Sequence, residues 1–407
     1  MFFPRVYYYL FLNYRKSDML KKLEDILPVV IALFLLSSMV SISISQICLA
    51  LAFIIWLLLL AKKKNRFLFP AFFWGMIAYS ILSLVSSAFS VNPEVSLGAS
   101  KQLLYFLVVP IVYTGFQKTS EIKRANLALL VSASIAILFS FFYYFFRAAP
   151  GERIAGFMGH YMTQAGVLLL FSAFALSMFI FKRDKLRILW GIAFVLSQVV
   201  LILTSTRSAW IGMIIAAIVV LFFFKPKTLI IVPVAVVLTL WLSPKEVKQR
   251  ALSIFSTRSY SNAQRIEYMK AGLQIIEDYP LLGTGPDTVD MVFQHPKYHL
   301  SQDAKRNVHL HNNIIQIGAE RGIPTLIVWL ATMVWVCVSL CRLIAGRDPG
   351  LFPLTVAALA ALLAHFAAGF FEYNFADAEV AVLFLYIITI PFAQARILPN
   401  RDLPEIK

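Results

Sequence analysis

The sequence has few charged residues and few cysteines for its length. Charged residues make up 14% and hydrophobic residues 60% of the 407-residue chain, whereas soluble domains have about 25% charged and about 45–50% apolar residues. The three cysteines, Cys48, Cys337 and Cys341, all lie inside apolar runs, so the sequence indicates no disulfide framework. The shortage of charge excludes an ordinary soluble protein and predicts an integral membrane protein.

Apolar runs of bilayer-spanning length recur along the whole chain. Crossing the hydrocarbon core takes roughly 20 residues of helix. The runs predict an all-α integral membrane fold, a single polytopic domain over residues 1–407 with about twelve transmembrane helices, and an interfacial position for the short apolar start, Met1–Leu12. The predicted spans are 26–42, 45–61, 67–87, 101–116, 125–146, 161–181, 187–204, 209–224, 228–243, 323–342, 351–371 and 378–395.

Basic residues collect in every second predicted loop. Lys and Arg cluster at 62–66 and 182–187, and fewer lie at 118–124, 225–227 and 342–347. Cytoplasmic loops are enriched in these residues, so both termini are expected in the cytoplasm and the long polar loop 244–310, between spans nine and ten, outside it. The net charge of +16 then indicates membrane topology and anionic lipid headgroups rather than nucleic acid.

Four arginines lie at predicted outer boundaries, against this charge rule: Arg147, Arg153, Arg207 and Arg321. Arg207 is in the run Thr204-Ser205-Thr206-Arg207 between two apolar helices. One interpretation is an anchor that snorkels to the headgroups. The other is a fixed cation for an anionic ligand, because a guanidinium donates paired hydrogen bonds to phosphate and keeps its charge.

The outer loop shows a helical pattern followed by a shaped turn. Ser261-Asn262 is predicted as a helix N-cap, and Arg265 lies in the first turn, either as a solvated charge or as a second ligand-binding cation. Two glycines and two prolines in the run 279–286 predict a turn after the helix. The predicted apolar face of the helix consists of Ile266, Met269, Leu273 and Ile276.

Four of the six histidines lie near the end of this loop: His295, His299, His309 and His311. Their spacing matches no standard zinc pattern, so no metal site is predicted. If residues 311–322 are helical, His311 shares a face with Ile315, Gly318 and Gly322. His311 is then either an interfacial cap or a proton acceptor at near-neutral pH.

These motifs, in this order, resemble the O-antigen ligase family, which also contains O-antigen polymerases and protein O-oligosaccharyltransferases. The resemblance rests on Thr204–Met213, on Arg265 with the run 280–286, and on His311-Asn312 with Gly322 ten residues further on. The motifs cover about residues 204–325, and the family's Arg-x3-Leu pattern is present with Ile211 in place of leucine.

The resemblance implies a glycosyltransferase C-like fold and an enzyme of the bacterial inner membrane with a periplasmic active site. It would transfer a glycan from undecaprenyl pyrophosphate to a sugar hydroxyl of lipid A–core, without metal or other cofactor, and back-side attack would invert the anomeric carbon. Arg207 and Arg265 would bind the pyrophosphate, and His311 would act as base or orient the acceptor. Possible accessory residues are Arg147, Arg153, Asn312, Arg321 and Glu372.

Other functions fit parts of the sequence. An O-antigen polymerase of the same superfamily would extend the carrier-linked glycan instead, and a protein O-oligosaccharyltransferase usually has a longer C-terminal region. A secondary transporter also fits twelve spans, but transporters commonly show paired repeats with breaks near the midplane. Here the two halves differ, and the notable polar residues gather at one face.

Overall fold

The computed structural model describes residues 3–63, 67–256 and 259–398, and every regular element among them is a helix. The predictions for Met1–Leu12 and for the C-terminus fall on residues or side chains that lie outside this described set. The α-helices are α1 Phe3–Ser37, α2 Ile42–Lys63, α3 Phe73–Ala88, α4 Pro93–Ala99, α5 Val108–Gly115, α6 Thr119–Phe146, α7 Tyr161–Phe181, α8 Arg187–Leu203, α9 Arg207–Phe224, α10 Ile231–Leu242, α11 Lys245–Leu252, α12 Tyr260–Asp278, α13 Val289–Phe293, α14 Asn313–Ala345, α15 Phe352–Ala368 and α16 Ala378–Ile397.

The long apolar helices identify an integral membrane protein, as predicted. In the described part of the chain, 7 helical segments are long and apolar enough to cross a bilayer. Shorter apolar helices cover Phe73–Ala88, Arg187–Leu203, Pro226–Leu242 and Phe352–Ala368. Together with α1, every predicted span contains a helix, and 101–116 overlaps the longer stretch Pro93–Gly115. The count of twelve crossings stays a prediction.

Helices α7, α15 and α16 form the centre of the bundle. Nearly every residue of α7 is buried from Gln164 to Met178, and α15 packs against α7, α9, α14 and α16. Small residues permit this close packing: a Cβ added at Gly212 of α9 would lie 2.8 Å from the carbonyl oxygen of Ala364 in α15. By contrast, α10 has no buried residue and faces outward.

The polar segment 244–310 is folded and has its own buried cluster. Tyr268, Ala271 and Ile275 of α12 pack with residues of α14, including Ile315. The predicted apolar face of α12 is divided, since Ile276 packs against this cluster whereas Met269 and Leu273 are 44% and 49% exposed. Small residues set the packed face instead, because a Cβ at Gly272 would lie 2.2 Å from the Ile315 side chain.

Helix α14 breaks at Gly322, which has φ 78° and ψ 168°. The break separates a short first half, which begins at Asn313, from the predicted span that starts at residue 323. It also removes regular hydrogen bonds: Pro324 has no N–H for the carbonyl of Glu320, and the N–H of Ile323 bonds Pro280 instead of Ala319.

The glycine- and proline-rich turn 280–286 replaces the missing donors. The N–H of Thr284 donates to the carbonyl of Ala319 at 2.9 Å, and that of Gly285 donates to the carbonyl of Glu320 at 2.8 Å. Ser86 of α3 adds hydroxyl bonds to the carbonyls of Leu282 and Glu320. The turn therefore satisfies the broken backbone, as membrane-embedded polar groups require.

Alanine at position 322 tests this arrangement. Gly322→Ala should lower the free energy of unfolding by about 2 kcal/mol or more, because alanine disfavours a positive φ and its Cβ would lie 2.2 Å from the carbonyl oxygen of Leu281. The measurement is thermal unfolding in detergent. Gly98→Ala is the control, since a Cβ there meets no atom within 4 Å. Equal melting curves for both variants would contradict the proposed packing.

Candidate functional site

Arg207 opens α9 directly after a tight turn in which Ser205 has φ 51°. The side chain is 5% exposed. Its guanidinium donates to the Ser253 hydroxyl at 2.8 Å, the Ser261 hydroxyl at 2.9 Å and the Asn262 amide oxygen at 2.6 Å. The interpretation as a snorkelling anchor was wrong, because Arg207 instead joins the bundle to the segment 244–310.

These bonds also explain why the N-cap prediction was wrong. Helix α12 begins at Tyr260, with Ser259 in the N-cap position. Asn262, placed inside the helix, donates to the carbonyls of Ser253 and Ser256, both at 2.9 Å, and accepts from Arg207. Its amide therefore fixes the chain before α12.

Arg153 supports the turn that precedes Arg207. Its guanidinium donates to the carbonyls of Thr204 at 2.8 Å and Ser205 at 3.0 Å, and to the Thr206 hydroxyl at 3.1 Å. It also stacks on Tyr161, 3.3 Å from the ring centroid. Burial lowers the pKa of Arg153 to about 10. The contacts assign Arg153 a positioning role.

Arg265, in the second turn of α12, makes no hydrogen bond to another described residue and lines the same cavity as Arg207. Burial lowers the pKa of Arg265, while the carboxylate of Glu372 opposes that shift. Arg250 of α11 also lowers this pKa and donates to the Ser205 carbonyl at 3.4 Å. Sequence reasoning missed Arg250, because nothing distinguishes it from the other basic residues of its helix.

His311 lies just before α14 and has φ 50°. The prediction that it shares a helical face with Ile315 was wrong, because Asn312 caps the helix by accepting from the N–H groups of Ile314 and Ile315. Outside the helix, the His311 ring lies beside Glu372, with Nδ1 at 3.1 Å from Oε1.

Glu372, between α15 and α16, is hydrogen-bonded to His311 and lies close to His309. His309 Nε2 is 3.7 Å from the same Oε1 atom that His311 approaches. Burial alone would raise the pKa of Glu372, but the hydrogen bonds and charges of His309 and His311 together hold it well below its usual range. Glu372 therefore stays a carboxylate at neutral pH and fixes Nδ1 of His311 as a donor.

Arg207, Arg265 and His311 line a cavity of about 250 Å³. Its other walls are mainly apolar, including Ile211, Met269, Phe370 and Phe371. Met269, Phe370 and Phe371 are each at least 40% exposed. The arrangement brings cationic groups and an imidazole to a cavity with apolar walls.

The accessory candidates separate into two groups. Asn312 lines the cavity and donates to the carbonyl of Phe370 at 2.9 Å. Arg147 is exposed at the end of α6, and Arg321 pairs with Glu320 at 2.6 Å inside the bundle. Neither lines the cavity. The structure thus brings Arg153, Asn312 and Glu372 to this region but leaves Arg147 and Arg321 outside it.

His309, His311 and Glu372 form a donor set that fits a divalent metal, with ligand atoms within 4.8 Å of one another. Two histidines and one carboxylate are ligands that zinc uses in enzymes. The positive charge of Arg265 acts on the same carboxylate and disfavours a bound cation.

Metal analysis tests which effect prevails. We expect purified protein to contain no stoichiometric zinc. The nearby guanidiniums repel a cation, and the positive charge of Arg265 already offsets the negative charge of Glu372. The measurement is elemental analysis of the wild type and of His309→Ala after exposure to zinc and dialysis. About one zinc per wild-type chain, lost in His309→Ala, would show a metal centre instead.

The segment that holds these residues also matches a known protein family. Residues 192–330 match the family model described as O-Antigen ligase, while comparison with curated proteins finds no significant match. The matched range includes Arg207, Arg265 and His311, and Glu372 lies beyond it. The resemblance seen in the motifs is confirmed over residues 192–330 of this membrane protein, which match the O-antigen ligase family.

Proposed function

We propose that the protein is an O-antigen ligase that works without a metal ion. It transfers a glycan from undecaprenyl pyrophosphate to a sugar hydroxyl of lipid A–core, at the periplasmic face of the bacterial inner membrane. The observation that carries the proposal is the single cavity lined by Arg207, Arg265 and His311. The family match supports the reaction class.

The arginines suit the departing diphosphate. Cleavage of the anomeric C–O bond leaves the electron pair on the phosphate oxygen, so negative charge grows there during the reaction. Arg207 has only neutral acceptors among its described partners, and Arg265 has no close ion pair with a described residue. Both retain positive charge for the ligand, and such fixed charges in a water-poor site stabilise developing anions strongly.

The histidine suits the acceptor hydroxyl. With Nδ1 held by Glu372, Nε2 of neutral His311 is the acceptor nitrogen. The acceptor oxygen attacks the anomeric carbon, its proton passes to Nε2, and the carbon–oxygen bond to the diphosphate breaks. Attack from the side opposite the leaving group gives inversion, which the anomeric configuration of the product measures.

The cavity walls suit substrates that are anchored in lipid. Phe370 and Phe371 line the cavity and are 45% and 40% exposed. Met269 of α12 adds an exposed apolar side chain. Apolar surface at the mouth lets a polyprenyl tail remain in the bilayer while its diphosphate reaches the arginines.

Replacement of Arg265 tests the charge requirement most cleanly, because this side chain makes no hydrogen bond that the fold would lose. Arg265→Ala should lower glycan transfer by about 10²–10³-fold, the usual cost of losing one group that stabilises transition-state charge. The assay is transfer from a carrier-linked glycan to lipid A–core in proteoliposomes. Arg207→Ala and His311→Ala should show comparable losses.

Arg147→Ala is the matched control, since Arg147 is exposed and outside the cavity. Arg207→Lys separates charge from folding, because it keeps the charge but loses the paired hydrogen bonds. Full transfer by Arg265→Ala would overturn the site assignment. Elongation of the carrier-linked glycan, with no transfer to lipid A–core, would identify a polymerase.

Replacement of Glu372 tests its positioning role. Glu372→Gln should lower the turnover number by about 10–100-fold with little change in KM, because it loosens the orientation of His311. Since the pKa of Glu372 is lowered, its ionic contribution is complete above the usual glutamate range and is lost only in stronger acid. The loss in the variant should therefore be similar from pH 6 to pH 8.

A loss that disappears at either end of that range would contradict the positioning role. Glu94→Gln is the matched control, because Glu94 is an exposed acid in the first turn of α4 that does not line the cavity.

A further inference from the structure

A second cavity lies at the opposite end of the bundle. It has a volume of about 1040 Å³ and is walled by the start of α6, the loop between α7 and α8, the end of α14 and the start of α15. Phe223, near the end of α9, lines it, about 24 Å along that helix from Arg207. The two cavities are therefore separate.

The rim of this second cavity is strongly basic. It includes Lys123, Lys182, Arg183 and Arg347 and a single acid, Asp184. Lys182 pairs with Asp184 at 2.7 Å. The other three cations are exposed and have no ion pair with a described residue, so the rim carries net positive charge that an anionic ligand would complement.

The floor of the cavity is apolar. Met178, Phe181, Trp190 and Phe223 line it, and Trp190 is 2% exposed. A free inorganic anion would gain nothing from these walls. An amphiphile with an anionic headgroup satisfies both parts, because its phosphate meets the cations while its glycerol and acyl groups cover the aromatic side chains.

We propose that this cavity binds an anionic phospholipid. A basic pocket between transmembrane helices is a typical headgroup site, and the volume exceeds what a lone phosphate requires. The bound lipid bridges α6, α7, α8, α14 and α15, and so joins the two halves of the bundle at the end remote from the arginine site.

Quenching of Trp190 fluorescence by brominated lipid tests the proposal, since bulk lipid does not reach this buried side chain. The full-length protein is reconstituted in phosphatidylcholine liposomes with increasing dibrominated phosphatidylglycerol. The protein has 7 tryptophans. Subtracting the fluorescence of the Trp190→Phe variant from that of the wild type therefore isolates the emission of Trp190. We expect saturable quenching by phosphatidylglycerol and much weaker quenching by dibrominated phosphatidylcholine.

Two double variants with equal charge change provide the control. Arg183→Gln/Arg347→Gln removes two rim cations and should require about tenfold more phosphatidylglycerol for half-maximal quenching. Lys225→Gln/Arg342→Gln removes two exposed cations outside the cavity lining and should behave as the wild type. Thermal unfolding verifies that both variants are folded, and Arg183→Lys, which keeps the charge, should retain quenching.

Three results would overturn the proposal. Equal losses in the two double variants would show attraction to the surface alone. Equal quenching by phosphatidylcholine would show a site for acyl chains without charge selectivity. Release of the brominated lipid by inorganic phosphate would identify a soluble anion as the ligand.

Discussion

The break in α14 at Gly322 is the constraint on which the candidate site depends. It detaches the first half of the helix from the following membrane helix, and His311 lies just before the start of this half-helix. The backbone groups freed by the break are bonded by Thr284 and Gly285 of the turn 280–286. Because an unpaired peptide group is costly away from water, the break and the turn require each other.

The same turn fixes the position of α12. It follows α12 directly, so the bonds to α14 set where that helix ends, and Gly272 lets it lie close against Ile315. Arg207 then bonds the chain around the start of α12. The three elements that supply Arg207, Arg265 and His311 are thus connected by backbone and side-chain hydrogen bonds.

Charge is distributed unevenly around the cavity. Arg250 and Arg265 are close enough to Arg153 and Arg207 to lower the pKa of both, whereas Glu372 is hydrogen-bonded to His311 and lies near His309. Mutual repulsion among the guanidiniums costs free energy in the unliganded protein. An anionic ligand relieves that repulsion, so part of its binding free energy comes from the protein's own unfavourable charge arrangement.

The sequence predicted the membrane class and the segments that contain helices, because apolar runs of bilayer length have few other structures available. It also brought Arg207, Arg265 and His311 together through the family motifs. It did not predict the packed face of α12. Gly272 and Ala271 lie on that face because their small side chains allow close approach to α14, which a hydrophobicity pattern does not reveal. Arg321 and Arg207 looked alike in sequence. In the structure Arg321 forms an ion pair with Glu320, whereas Arg207 lines the cavity that also holds Arg265 and His311.

Glu372 and Arg250 show the limit of local patterns. Glu372 was an accessory candidate in the sequence, but its pairing with His311 was not predicted, and Arg250 was missed altogether. Each reaches the site from an element distant in sequence from the residue it contacts, and a single chain contains no signal for that pairing. His309 differs, because it lies two residues from His311 and 3.7 Å from the Glu372 carboxylate, and His311 has a left-handed backbone. Such a conformation is uncommon outside glycine and is not evident from residue type.

The most direct measurement of the central claim is a cryo-electron microscopy structure in lipid nanodiscs with undecaprenyl pyrophosphate bound. The account predicts diphosphate density between the guanidiniums of Arg207 and Arg265, with Nε2 of His311 facing the glycan-bearing side. Diphosphate bound elsewhere, with these three side chains facing an empty cavity, would contradict it.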